Sequence, residues 1–119
     1  MTASGLVISS FSGVKVVSFR NRSILDGPVV DAIGAELFAL VDEQAHRKIV
    51  LDFCEVHSLT SSMLGVLVSM HKKAEAIKGS VVLCGMNDKL MEVFKVTSLH
   101  KLLQFAKDET EAFQMLGRM

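Results

Sequence analysis

At 119 residues, half of them hydrophobic, the chain has the length for one domain around one core, and residues 1–119 are read as a single domain. The 13 basic residues balance 13 acidic ones, so the charge gives no reason to expect direct binding to nucleic acid. No stretch approaches the ~20 apolar residues of a membrane span, and Met1 to Gly5 lacks the basic flank and apolar run of a secretory signal, so a cytoplasmic protein is expected.

The apolar run at Leu6 to Ile8 and the run Val14 to Phe19 flank a Ser12-Gly13 turn signal, which predicts a hairpin. Asp26 can cap a helix, Pro28 suits its first turn, and Val30, Ile33, Leu37 and Val41 recur at helical spacing. Lys48 to Phe53 is apolar without alternation, as in a strand buried on both faces of a parallel sheet. A polar loop, His57 to Ser62, leads into a helix with Leu64, Leu67, Met70, Ala74 and Ile77 on one face, which Gly79 is expected to end as a left-handed cap. Ser80 to Cys84 is a second central strand. Asn87 can cap a short helix carrying Leu90, Met91 and Phe94, and Leu102, Leu103 and Phe105 form a brief last strand. Asp108 and Glu111 have capping-box spacing for a terminal helix with Ala112, Phe113 and Leu116. The order ββαβαβαβα calls for crossover connections, hence an α/β fold with a mixed, mostly parallel central sheet and helices packed on it.

Cys54 and Cys84 lie in apolar surroundings and are expected to be reduced core thiols. His46, His57, His71 and His100 share no metal-ligand spacing, and no glycine-rich phosphate loop or nucleophile elbow is present, so neither metal nor cofactor is expected. Asp52 and Glu55 at a strand end are expected to face solvent, and His71-Lys72-Lys73 to lie on the polar face of its helix.

The informative stretch runs from Leu51 to Val66. Its core, Thr60-Ser61-Ser62-Met63-Leu64-Gly65, resembles the Asp-Ser-Ser-Gly-Leu-Gly that opens a helix in the STAS family, which includes bacterial anti-anti-sigma proteins. Leu25-Asp26, Gly79 to Cys84 and Phe94 to Phe105 resemble further family segments in order, so the likeness spans almost the whole chain. Thr60 stands where the family commonly has Asp, and Met63 where it commonly has Gly.

The resemblance implies a non-enzymatic STAS-like regulatory module, an anti-sigma factor antagonist whose protein partner is an anti-sigma factor with kinase activity. By position it implies that Ser61 is the phospho-acceptor. His57, Thr60, Ser62, Met63 and Asp26 are neighbouring candidates for the switch loop or the partner contact, Met63 as an exposed, adaptable side chain. Two alternatives stand beside it: an unphosphorylated STAS subunit of a transport complex or sensory scaffold, and a small nucleotide-binding protein or enzyme. The residue chemistry is independent of the family. A serine at a helix start lies near unsatisfied N–H groups and the positive end of the dipole, where a phosphate is tolerated. Capping the helix is the ordinary role of such hydroxyls, and it is expected of Thr60, Ser61 or Ser62.

Overall fold

The structure is a computed structural model that describes residues 5–20, 23–24 and 27–117, with only the backbone described at 23–24. Leu25 and Asp26, and with them the expected cap of the first helix, lie outside the described residues.

Two strands, β1 (Leu6–Phe11) and β2 (Val14–Phe19), form the hairpin expected from the sequence. Ser12 and Gly13 between them have φ of 51° and 81°, the double left-handed turn whose twist matches that of the strands. A two-residue strand, β3 (Ser23–Ile24), precedes helix α1 (Gly27–Asp42), which has Pro28 in its first turn. Then come β4 (Lys48–Asp52), a second two-residue strand β5 (Ser58–Leu59), and helix α2 (Ser61–Ala76). Strand β6 (Ser80–Cys84), helix α3 (Asp88–Val96), a 3-10 turn (Leu99–Lys101), strand β7 (Gln104–Ala106) and helix α4 (Glu109–Gly117) complete the chain order.

The main sheet has the order β1-β2-β4-β6-β7, with only the β1–β2 pair antiparallel. The two runs expected at the centre are adjacent: Val50 pairs with Val82 and Leu51 with Leu83, and Val50 and Leu83 are both buried. Period-2 alternation explains their unbroken apolar character. Ile49, Leu51 and Phe53 face one core with Val81 and Leu83, while Val50, Val82 and Cys84 face the other. Helices α1, α2 and α3 contribute to the first core through residues such as Ile33, Leu67 and Phe94; α4 contributes Ala112 and Leu116 to the second. Burial of each such Leu, Ile or Phe stabilises by roughly 1.5–3 kcal/mol.

The capping signals at Asn87 and Asp108 hold. Asn87 Oδ1 accepts from the Leu90 N–H at 2.8 Å, Asp108 Oδ1 from the Glu111 N–H at 2.9 Å, and Glu111 reaches back to the Lys107 N–H at 2.9 Å. Two boundaries differ from expectation. The left-handed residue after α2 is Lys78 (φ 59°), not Gly79. Glycine is required at 79 for another reason: a Cβ there would lie 2.7 Å from the Arg47 carbonyl oxygen, where the Ser80 N–H pairs with that same carbonyl. The last strand begins at Gln104 rather than Leu102, because the Leu102 and Leu103 N–H groups bond back to the Leu99 carbonyl and close the end of the 3-10 turn instead of joining the sheet.

Candidate functional site

Ser61 is the first residue of α2 and is exposed, as is Ser62 beside it. Thr60 occupies the N-cap position with extended backbone (φ −94°, ψ 165°), and its carbonyl receives the Met63 and Leu64 N–H groups at 3.1 and 3.2 Å. Its hydroxyl does not cap the helix. Thr60 Oγ1 is buried and has no hydrogen-bond partner among the described residues. The capping role expected of these hydroxyls is therefore absent at Thr60. The first turn of α2 carries no acidic side chain, so nothing of its own offsets the positive end of the dipole where Ser61 stands.

Met63 is fully buried, contrary to its expected exposure as a contact residue. It lies one helical turn before Leu67 and shares that residue's inward face, so it anchors the helix start rather than meeting a partner. His71 is also buried, one turn beyond Leu67, with Nε2 3.4 Å from Glu75 Oε1; only Lys72 and Lys73 of that triplet match the expected polar face. Lys73 bonds Asp42 Oδ2 at 2.8 Å and lies over the Phe38 ring, tying α2 to α1.

The loop before Ser61 is held from several sides. The Phe53 N–H bonds the Cys84 carbonyl at 2.9 Å, and the Val56 N–H closes a turn onto the Phe53 carbonyl at 2.9 Å. Beneath it Phe53 stacks on Phe19 with ring centroids 4.4 Å apart. Asn87, at the head of α3, donates from Nδ2 to the Val56 carbonyl at 3.5 Å. Strand β5 pairs with β3 in parallel, Ser58 with Ser23 and Leu59 with Ile24, so the segment preceding α1 is laced to the residues just before Thr60. His57 is exposed on this loop, as expected, and exposed Arg20 meets exposed Glu55 at 3.3 Å.

Asp52 is not the solvent-facing carboxylate expected; it is buried, on the α4 side of the sheet. Its Oδ1 accepts the Cys54 N–H at 2.9 Å and lies so near Gly85 that a Cβ there would come within 2.7 Å. Glu109, the first residue of α4, hydrogen-bonds Asp52. That bond, then burial, then the Asp52 charge push its pKa up from 4.5 to about 7. Sequence reading missed this pair; its signal is parity, since 52 shares a face with Val50. Cys84 is buried as expected, its thiol pushed up to about 12 chiefly by burial. Cys54 is exposed instead of in the core, and burial of its thiol with the neighbouring Asp52 raises its pKa. Among the described residues no group of three or more His, Cys, Asp or Glu is placed to hold a metal ion. No helix there is long and apolar enough to cross a membrane.

A parallel-centred sheet with three helices on one face and one on the other, and an exposed serine heading the second main helix, defines a class of α/β domain that known proteins share. The STAS-domain family model matches residues 10–112, and the chain belongs to that family. BtrV of Bordetella bronchiseptica, a candidate anti-sigma factor antagonist, is 25% identical over 91 residues, covering 76% of this chain and 78% of BtrV. A candidate anti-sigma factor antagonist of Thermotoga maritima shares the fold with a TM-score of 0.81 at 22% identity, covering 93% of each chain. The Bacillus cell-fate determinant SpoIIAA in its phosphorylated form shares it with a TM-score of 0.71 at 18% identity, covering 92% of this chain and 98% of that one.

Proposed function

We propose that this protein is a cytoplasmic, non-enzymatic anti-sigma factor antagonist. It binds an anti-sigma factor with kinase activity through the surface around Ser61 and is released when Ser61 is phosphorylated. The observation that carries the reading is the position of Ser61. It is exposed as the first residue of a long helix whose next buried side chain, Met63, is locked into the core. A phosphate there adds roughly −1.5 to −2 charges beside free N–H groups and the positive helix end, so the fold accepts it. A partner packed over the same hydroxyl meets a dianion that must be desolvated, and binding is lost. His57, Ser62 and the exposed start of α3 belong to the same contact in this reading. The existence of a phosphorylated fold relative, SpoIIAA, supports it.

A second reading keeps the partner surface and drops the switch, as in an accessory subunit of a transport complex or a scaffold of a sensory assembly. Thr60 favours it, because its hydroxyl is buried where the family commonly has a carboxylate. Incubation with the kinase-type anti-sigma factor of the same cell and ATP, followed by peptide mapping, separates the two. The switch reading expects one phosphate, on Ser61; an unmodified chain, or phosphate elsewhere, supports the second.

A further inference from the structure

The two edges of the main sheet differ. β7 at one edge has three residues. β1 at the other has six, Leu6–Phe11, with neither charge nor proline, and every side chain from Val7 to Phe11 is exposed. Protein edges are ordinarily blunted by Lys, Pro or a bulge, because a row of outward N–H and C=O groups templates further pairing. Among the described residues, β2 alone pairs with β1.

The two-residue turn makes Phe11 and Val14 the first pair of the hairpin ladder. Alternation along that ladder turns the backbone groups of Phe11, Ser9 and Val7 toward β2 and those of Ser10 and Ile8 outward. Val7, Ser9 and Phe11 share the face toward α4, opposite Ser18, Val16 and Val14. Val7 is 45% exposed and Phe11 65%. The Phe11 ring leans on Phe113 of α4 at 5.6 Å between centroids, and together they separate two open grooves of about 390 and 470 Å³.

We propose that β1 is a self-association edge, through which two copies of this chain pair antiparallel about a twofold axis at Ser9. A twofold interface presents the same patch from both sides, and β1 is complementary to itself in this register. Outward-facing Ile8 and Ser10 exchange hydrogen bonds with Ser10 and Ile8 of the second copy. Ser9 stands opposite Ser9, and Val7 falls opposite Phe11 on each side of the axis, covering the two most exposed apolar side chains of the strand. Moving the axis to Ile8 also aligns donors with acceptors, but sets Phe11 opposite Gly5 and leaves it uncovered. No like charges meet, because the strand has none, and for the same reason it offers nothing to recognise an acidic or basic strand from another protein. The contact is one short strand pairing, which belongs with small transient interfaces, so the dimer is weak and reversible.

Sedimentation equilibrium from about 10 µM to about 1 mM tests this on the wild type, Ser9→Lys, Ser9→Glu and an equimolar mixture of the two variants. Ser9 is exposed, so both variants keep the fold, with thermal melting as the check. Each variant alone should dimerise at least about tenfold more weakly, since like charges face each other across the axis, and the mixture should regain the dimer. A wild type that stays monomeric at about 1 mM overturns the proposal. So does a dimer that the Ser9 variants leave unchanged, or one that the mixture fails to restore.

Discussion

Thr60 holds the N-cap backbone geometry of α2 while its hydroxyl is buried without a partner among the described residues. A buried hydroxyl that makes no hydrogen bond costs stability, and replacing it by a methyl of the same shape removes that cost. Thr60→Val should therefore stabilise the fold by about 0.5–1 kcal/mol, although the same change at a working cap destabilises by about 1 kcal/mol. Urea unfolding of the two proteins reads the difference, and a loss of stability would show that the hydroxyl does cap. At this scale the sequence was legible where local rules decide, as at Asn87, Asp108 and exposed Ser61. It was misread where packing decides. Met63 and His71 each stand four residues from Leu67, so the inward stripe already named by Leu64, Leu67, Met70 and Ala74 could have claimed both. Asp52 was harder: parity with Val50 assigns it to that face, but what covers the face is α4, which returns over the sheet some fifty residues later.

Between elements, the junction of α2 and β6 moves the left-handed role expected of Gly79 to its neighbour and gives the glycine another. Lys78 takes the left-handed turn at φ 59°, where a side chain costs about 1 kcal/mol, and Gly79 makes room for the Arg47 backbone. Lys78→Gly should raise stability by about 0.5–1 kcal/mol. Gly79→Ala should lower it by about 2 kcal/mol or more, because its methyl meets backbone rather than a yielding side chain. Equal and small effects on the denaturation midpoint would contradict this division. The parallel strands β4 and β6 could be recognised because burial on both faces leaves a continuous apolar run. The pairing of β3 with β5 could not, since two residues carry no period, yet that pairing helps hold the loop that leads to Ser61.

For the whole molecule, the bond from Glu109 to Asp52 links folding to pH. The folded chain holds a proton on Glu109 up to about pH 7, whereas the unfolded chain releases it near 4.5. The stability this contributes is complete below about pH 4.5 and is lost as the pH rises through about 7. Glu109 is partly exposed, and solvent screening holds the loss to about 1 kcal/mol. Glu109→Gln keeps a donor toward Asp52 without titrating, so its urea midpoint should lack the decline that the wild type shows across this window; a flat wild-type profile would count against the shared proton.

The central claim is that charge at Ser61 governs partner binding while leaving the fold alone. Calorimetric titration of the wild type, Ser61→Asp and Ser61→Ala against the proposed partner, a kinase-type anti-sigma factor, tests it most directly. The account expects Ser61→Ala to bind like the wild type and Ser61→Asp to bind at least about tenfold more weakly, with its unfolding free energy within about 1 kcal/mol of the wild type. Equal affinity for all three would contradict it.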